Sequence, residues 1–312
     1  MPGAYAHITL VNLAKETRRL DEVSGFPPEA IAALNRHFKY CELGAVSPDY
    51  PYLAITDGNA KKWADLMHYS RTGDLVKSGV PLVQNLPAEE RERAFAWLAG
   101  YLSHVTADVT IHPVIELKVG PYVGNEQQHR ICEMHQDAYI YKRLDLGDIG
   151  LSEHLDSGIW ACCVPTGSGK LDDTIKNLWA FMLESVHPGE FSANKPDIDN
   201  WHGRFKTMVD KIGEEGNKLW PIARHVAVNC GLTYPSQDQL DKQFLEGLAT
   251  PEGKKHYDDI FNRALENVTN MWTHLAKAVF NRDERYRSAI ANWNLDTGRD
   301  ENRRYVFWEN QA

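Results

Sequence analysis

The chain has 312 residues, 43 % hydrophobic and 25 % charged, ordinary globular values that exclude disordered, collagen-like and disulfide-scaffold classes. Thirty-four Lys and Arg against 43 Asp and Glu leave a net charge of -9, the wrong sign for a protein held on phosphate backbones by charge, so nucleic acid is demoted as a partner. No run approaches the roughly 18 apolar residues of a membrane-spanning helix.

No export signal is visible before Lys15, which makes the cytoplasm the expected compartment, with signal-independent secretion as the other route. The five cysteines (Cys41, Cys132, Cys162, Cys163, Cys230) form no CxxC pair, so neither a disulfide framework nor a thiolate zinc site is suggested. The 13 His are more informative, because several are spaced by fours.

In chain order, a short apolar opening precedes a helix around Pro28 to Tyr40, and the turn-rich run Gly44 to Pro51 reads as a loop. Ala60 to Ser70 reads as a helix. Pro87 to about His112 reads as a long one, with Pro at its start and Glu89, Glu90 and Glu92 early. Another begins near Glu126 and carries Tyr139 and Tyr141 near its end. The Gly- and Asp-sprinkled passage from Leu144 to Lys170 reads as a lid or surface excursion. Helices follow near Leu171 to Val186, Asp197 to Val228 and Pro251 to Asn281. In the last, Ile260, Phe261, Leu265, Val268, Trp272, Leu275 and Val279 form one apolar stripe. The second half looks wholly helical, with two-residue alternation confined to stretches such as Arg304 to Trp308. The expectation is one all-α, compact multi-helix domain over 1–312, its chemistry within about 1–145 and a helical half of unassigned role over 146–312.

The chemistry centres on His104, Asp108 and His112, at i, i+4 and i+8 of one helix. Each step of four returns to nearly the same face. Eight residues rise about 12 Å along the axis, so His104 and His112 cannot hold one ion together. Asp108 lies between them and can lean toward one ion or bridge two, which predicts a multinuclear site. The next helix offers His129 and Glu133 at i, i+4, with Asp137 continuing the face. An antiparallel hairpin would bring His112, His129 and Glu133 to one ion. His104 and Asp108 then need partners, for which His68 and Asp49 are the plausible candidates, and His7 could complete a third position on the other oxygen of Asp108. Nitrogen and carboxylate oxygen without thiolate suit zinc and leave positions open for water. His37, His154, His187, His202, His225, His256 and His274 are assigned no role, and His135 is a bystander. Gly167 to Lys170 lacks the first Gly and the Ser or Thr of a P-loop, and the sequon at Asn267 lies in the apolar stripe; both are set aside.

The ordered set His7, Gly44-Ala45-Val46-Ser47-Pro48-Asp49, His68, the block Gly100 to Pro113 and His129 with Glu133 resembles the zinc-dependent phospholipase C family. Its relatives include glycosylphosphatidylinositol-specific phospholipase D and, more distantly, S1/P1-type nucleases. The resemblance covers about the first 145 residues. It implies an all-α fold and two or three zinc ions: one on Asp49, His68, His104 and Asp108, one on His112, His129 and Glu133, and one on His7, the bridging Asp108 and N-terminal backbone atoms. The function it implies is phosphodiester hydrolysis, most naturally a phospholipase C cleaving phospholipid headgroups through a metal-bound hydroxide. Asp108 would tie the ions, and Asp49 would either ligate zinc or act as general base. Tyr50, Tyr52, Trp63 and Tyr69 lie near these ligands and are candidate headgroup contacts. Expected partners are a phospholipid or other phosphodiester and, peripherally, a membrane surface. The competing readings are an S1/P1-like nuclease or other phosphoesterase, and a non-catalytic helical protein with a structural metal site.

Overall fold

The computed structural model describes residues 3–53, 58–145, 162–163, 169–205, 207 and 234–309. Helix α1 (Ala4–Ala14) is buried from Tyr5 to Val11, so it runs inside the molecule rather than along its surface. After α2 (Thr17–Glu22), the single helix expected over 28–40 is two, α3 (Pro28–Arg36) and α4 (Phe38–Val46), parted at His37 (φ -120°, ψ 29°). The run from Gly44 to Pro51 is not a loop: it completes α4 and continues as a 3-10 helix, Ser47–Leu53.

Gly44 serves packing there, not a turn. A Cβ on Gly44 would lie 2.0 Å from the carbonyl oxygen of Trp97, and one on Gly100 2.0 Å from that of Cys41. Paired glycines let the backbones of α4 and α7 (Ala88–Val119) meet, which no larger residue allows.

Between them come α5 (Gly58–Tyr69), close to expectation, and α6 (Thr72–Asn85), which Gly73, Gly79 and Pro81 hide from a reading of periodicity. Helix α7 has Glu89 and Glu90 in its first turn, where acids favour the helix dipole. It is buried without a break from Ala94 to Ile115, the pattern of a central helix on the order of 48 Å long. It runs past His112 and through Pro113 to Val119, ending at Gly120 (φ 93°). Pro113 removes a single helical hydrogen bond, to the carbonyl of Val109, and the chain at Gly298 packs against that spot. Helix α8 (Glu126–Tyr141) follows as expected.

The second half is not wholly helical. Helices α9 (Asp173–Val186) and α10 (Pro188–Ala193) and a helical run over 198–205 precede a hairpin of β1 (Leu248–Thr250) and β2 (Gly253–Lys255). This hairpin occupies the place expected to begin a helix at Pro251. Helix α11 (Tyr257–Asn281) starts later, where His256 and Asp259 form a reciprocal cap. Its apolar stripe packs on α7, α1 and α6, and Trp272 Nε1 donates to the Ala99 carbonyl (2.8 Å) and Ser103 Oγ (2.7 Å). After the short α12 (Tyr286–Ala289), β3 (Trp293–Asn294) and β4 (Arg299–Asp300) pair antiparallel. Tyr305 adds one bridge to Arg299, the extent of pairing within the 304–308 alternation. The all-α class stands with these two small hairpins added. The lid expected over 144–170 and most of the helix expected over 197–228 lie outside the described residues.

Candidate metal centre

Helix α7 supplies His104, Asp108 and His112 from one face, and all three are buried. The close crossing with α4 brings the Ala45 carbonyl to 2.9 Å from His104 Nδ1, which donates to it. His68, near the end of α5, donates from Nδ1 to the Ala64 carbonyl at 2.7 Å. A neutral ring has one donor nitrogen and one lone pair. With both Nδ1 atoms engaged as donors, a neutral ring has its lone pair on Nε2, and the two Nε2 atoms face each other 3.4 Å apart. Two acceptors in that position repel unless a cation or a proton lies between them and their neighbours.

The surrounding carboxylates complete the arrangement. Asp49 Oδ1, carried on the 3-10 helix after α4, lies 3.3 Å from His68 Nε2 and 3.7 Å from His104 Nε2. Asp108 Oδ2 lies 3.2 Å from His104 Nε2 and 3.9 Å from His68 Nε2, while its Oδ1 lies 3.3 Å from His7 Nε2. The rings of His7 and His104 stack at 4.2 Å. Two ligand atoms bound at 2.0–2.1 Å to one tetrahedral zinc sit about 3.3 Å apart. These separations match that spacing better than the 2.7–3.0 Å typical of hydrogen bonds.

Among the described residues, two sets of three close to within 4.8 Å: His7, His104 and Asp108, and Asp49, His68 and His104. Asp49 Oδ1, both oxygens of Asp108 and both ring nitrogens of His7 are buried without a hydrogen-bond partner. So many uncompensated polar atoms in one place fit a bound cation.

His112, His129 and Glu133 form a looser group. The His112 ring donates from Nδ1 to the Leu295 carbonyl (2.8 Å), and its Nε2 is buried without a hydrogen-bond partner. His129 donates from Nε2 to the Gly120 carbonyl (2.7 Å), which turns Nδ1 toward Glu133 Oε1 at 3.9 Å. His112 and His129 line a cavity of about 150 Å³ together with Glu116, Tyr122 and Asp296. His112 is two turns short of its helix end, not near it as expected, yet the α7–α8 hairpin still brings it beside His129.

Burial alone opposes ionisation of Asp108 and Asp49, but the charge of His104 prevails and holds both below the usual carboxylate range. Burial would likewise lower His104, but Asp108 and Asp49 outweigh it and hold the ring at about 9. His7, His112 and His129 are all lowered, chiefly by burial, which leaves them neutral and available as ligands. Burial pushes Glu133 up.

A family model for zinc dependent phospholipase C matches residues 6–189, more than half of the chain. The protein belongs to the zinc-dependent phospholipase C family. All eight candidate ligands of this phospholipase C family member, from His7 to Glu133, fall inside the matched span. Comparison with curated proteins gave no match, and comparison with solved structures gave none either.

Asp137 is a cap and not part of the ligand face. It accepts from the backbone N–H groups of Tyr5 (3.2 Å) and Ala6 (2.8 Å) and from Tyr234 OH (3.2 Å). It thereby anchors the start of α1 and the position of His7. A Cβ on Gly3 would lie 1.9 Å from Asp137 Oδ2, so glycine is required there. Of the candidate headgroup contacts, Tyr50 and Trp63 are core: Tyr50 stacks on Phe205, and Trp63 Nε1 donates to the Asn194 carbonyl. Tyr52 and Tyr69 flank His68 at 5.2 and 6.2 Å between ring centroids, and Tyr69 is partly exposed. Reading the sequence missed Leu295 and Asp296, whose contribution to His112 runs through a backbone carbonyl and so leaves no residue-type signal.

Proposed function

We propose that this chain is a zinc-dependent phosphodiesterase of the phospholipase C type, with His7, Asp49, His68, His104, Asp108, His112, His129 and Glu133 holding two or three zinc ions. The observation that carries this reading is the pair of opposed Nε2 atoms on His68 and His104, ringed by the carboxylates of Asp49 and Asp108. Zinc bound there neutralises phosphate oxygens and acidifies water.

The chain's own residues do the rest. Asp108 offers its two oxygens in different directions, toward His7 and toward His104 and His68, which suits a bridge. Asp49 is engaged through the buried Oδ1, while its side chain remains 17 % exposed. The exposed part of the carboxylate is available to accept a proton from an attacking water. The cavity beside His112 and His129 receives the phosphodiester, with Tyr122, Glu116 and Asp296 on its walls. On its rim the α7–α8 turn projects Val123, 85 % exposed, and the last turn of α7 exposes Leu117. These two exposed aliphatic side chains at the α7–α8 corner suit contact with a phospholipid surface. None of the described helices is long and apolar enough to cross a membrane.

The test is elemental analysis of protein purified without chelator, paired with hydrolysis of phospholipid and soluble phosphodiester substrates. The expected result is two or three zinc equivalents per chain, with turnover abolished by chelation, restored by zinc and lost in Asp108→Asn. Zinc-free protein, or turnover indifferent to chelator, would overturn the reading.

A further inference from the structure

The turn between β3 and β4 lies beyond the matched span, yet it touches two of the helices that carry candidate ligands, α5 and α7. The backbone N–H of Leu295 donates to the His68 carbonyl (3.0 Å), and the Leu295 carbonyl accepts from His112 Nδ1 (2.8 Å). One buried residue therefore ties the end of α5 to the middle of α7.

The turn is held from several sides. Thr72 Oγ1 donates to the Trp293 carbonyl and accepts from its N–H, at 2.8 and 2.9 Å. Asn294 Oδ1 accepts from the N–H groups of Asp296 (3.1 Å) and Thr297 (2.9 Å). Gly298 has φ 64° and sits so close to α7 that a Cβ would lie 2.3 Å from Pro113 Cγ and 2.5 Å from the Val109 carbonyl oxygen. Asp296 Oδ1 stands 3.7 Å from His112 Nδ1.

We propose that the turn Trp293–Gly298 is a positioning element of the metal centre: its Leu295 peptide fixes His112 as the Nδ1–H tautomer and registers α5 against α7. The unpartnered, buried Nε2 of His112 is thereby aimed as a lone pair into the site. The inference rests on the reading of His112 as a ligand. A ring free to take the other tautomer would present an N–H where a metal needs a lone pair.

The experiment is zinc titration of Gly298→Ala and Asn294→Ala against a chromophoric chelator, with Glu301→Ala in the neighbouring exposed turn as control. Loss of outer hydrogen bonds to a metal-bound His typically costs 10–100-fold in affinity. Gly298→Ala is expected to lose one zinc equivalent or to bind it at least about tenfold more weakly. Asn294→Ala should shift in the same direction by less, and Glu301→Ala should match wild type. If either substitution prevents folding, ring-nitrogen NMR of the zinc-loaded wild type still decides, because His112 must carry its proton on Nδ1. Wild-type zinc stoichiometry and affinity in both folded variants, or a proton on His112 Nε2, would overturn the proposal. A wild type that binds no zinc would instead overturn the metal reading beneath it.

Discussion

In the metal-free protein the ring of His104 titrates at about 9, held there by Asp108 and Asp49 against the effect of burial. At pH 7 it therefore carries a second proton, on Nε2, the atom that also faces Asp49 and His68. A zinc ion at that place must displace this proton. Two pH units below the titration point, removing it costs about 3 kcal/mol, so zinc at this position would bind on the order of 100-fold more weakly at pH 7 than above pH 9. The sign is fixed: affinity rises with pH, close to tenfold per unit, and levels off above about 9. Calorimetric titration of the metal-free protein at pH 7 in buffers of different ionisation enthalpy should show at least one proton released per chain. Asp108→Asn removes the leading charge that raises His104, and its proton release at pH 7 should fall. Affinity flat between pH 6 and 9, or binding without proton release, would refute the placement of an ion between His104 and its carboxylates.

Two further predictions concern packing and the membrane. Gly100→Ala forces a Cβ to within 2.0 Å of the Cys41 carbonyl oxygen; backbone cannot yield as a side chain can, so the variant should lose about 3 kcal/mol or more, read by denaturant unfolding. Stability within about 0.5 kcal/mol of wild type would show that α4 and α7 do not cross this closely. Replacing both Leu117 and Val123 by acidic residues should weaken cosedimentation with phospholipid vesicles by about tenfold or more, since burying an aliphatic side chain contributes about 1.5–3 kcal/mol. Loss of folding-independent vesicle binding by less than twofold would remove this edge as the contact surface.

The chemistry was legible because it is written in residue types at helical spacing. His104, Asp108 and His112 recur by fours, and an axial rise of 1.5 Å per residue already keeps His104 and His112 too far apart to share one ion. What the pattern could not convey is how far a helix extends and what lies across from it. The expected end of the long helix at about His112 falls just before Pro113, yet one lost hydrogen bond is cheap beside the burial of α7 from Ala94 to Ile115. Gly44 looked like a turn and is a contact point between helices. Asp137 shares a face with Glu133, but the amides at the start of α1 claim it. The outer partners of the candidate His ligands are the carbonyls of Ala45, Ala64, Gly120 and Leu295. Every residue has such a carbonyl, so no spacing rule could single these out.

The same proton that competes with zinc also bears on stability. In the metal-free fold, Asp49 and Asp108 are held ionised in a buried cluster, an arrangement costly without a nearby cation. Protonated His104 offsets part of that cost. Because its folded value, about 9, stands above the ordinary 6.5 of the unfolded chain, its contribution is fully present below pH 6.5 and is lost as pH rises through 9. The difference of about 2.5 units corresponds to about 3 kcal/mol. Zinc held by His104 would take the place of that proton, so the loaded protein would have no such contribution to lose. Thermal unfolding at pH 6, 7.5 and 9 should therefore show the chelated protein falling steeply and the zinc-loaded protein much less, the gap between them widening with pH. A gap constant across that range would mean that His104 is not the residue on which proton and metal compete.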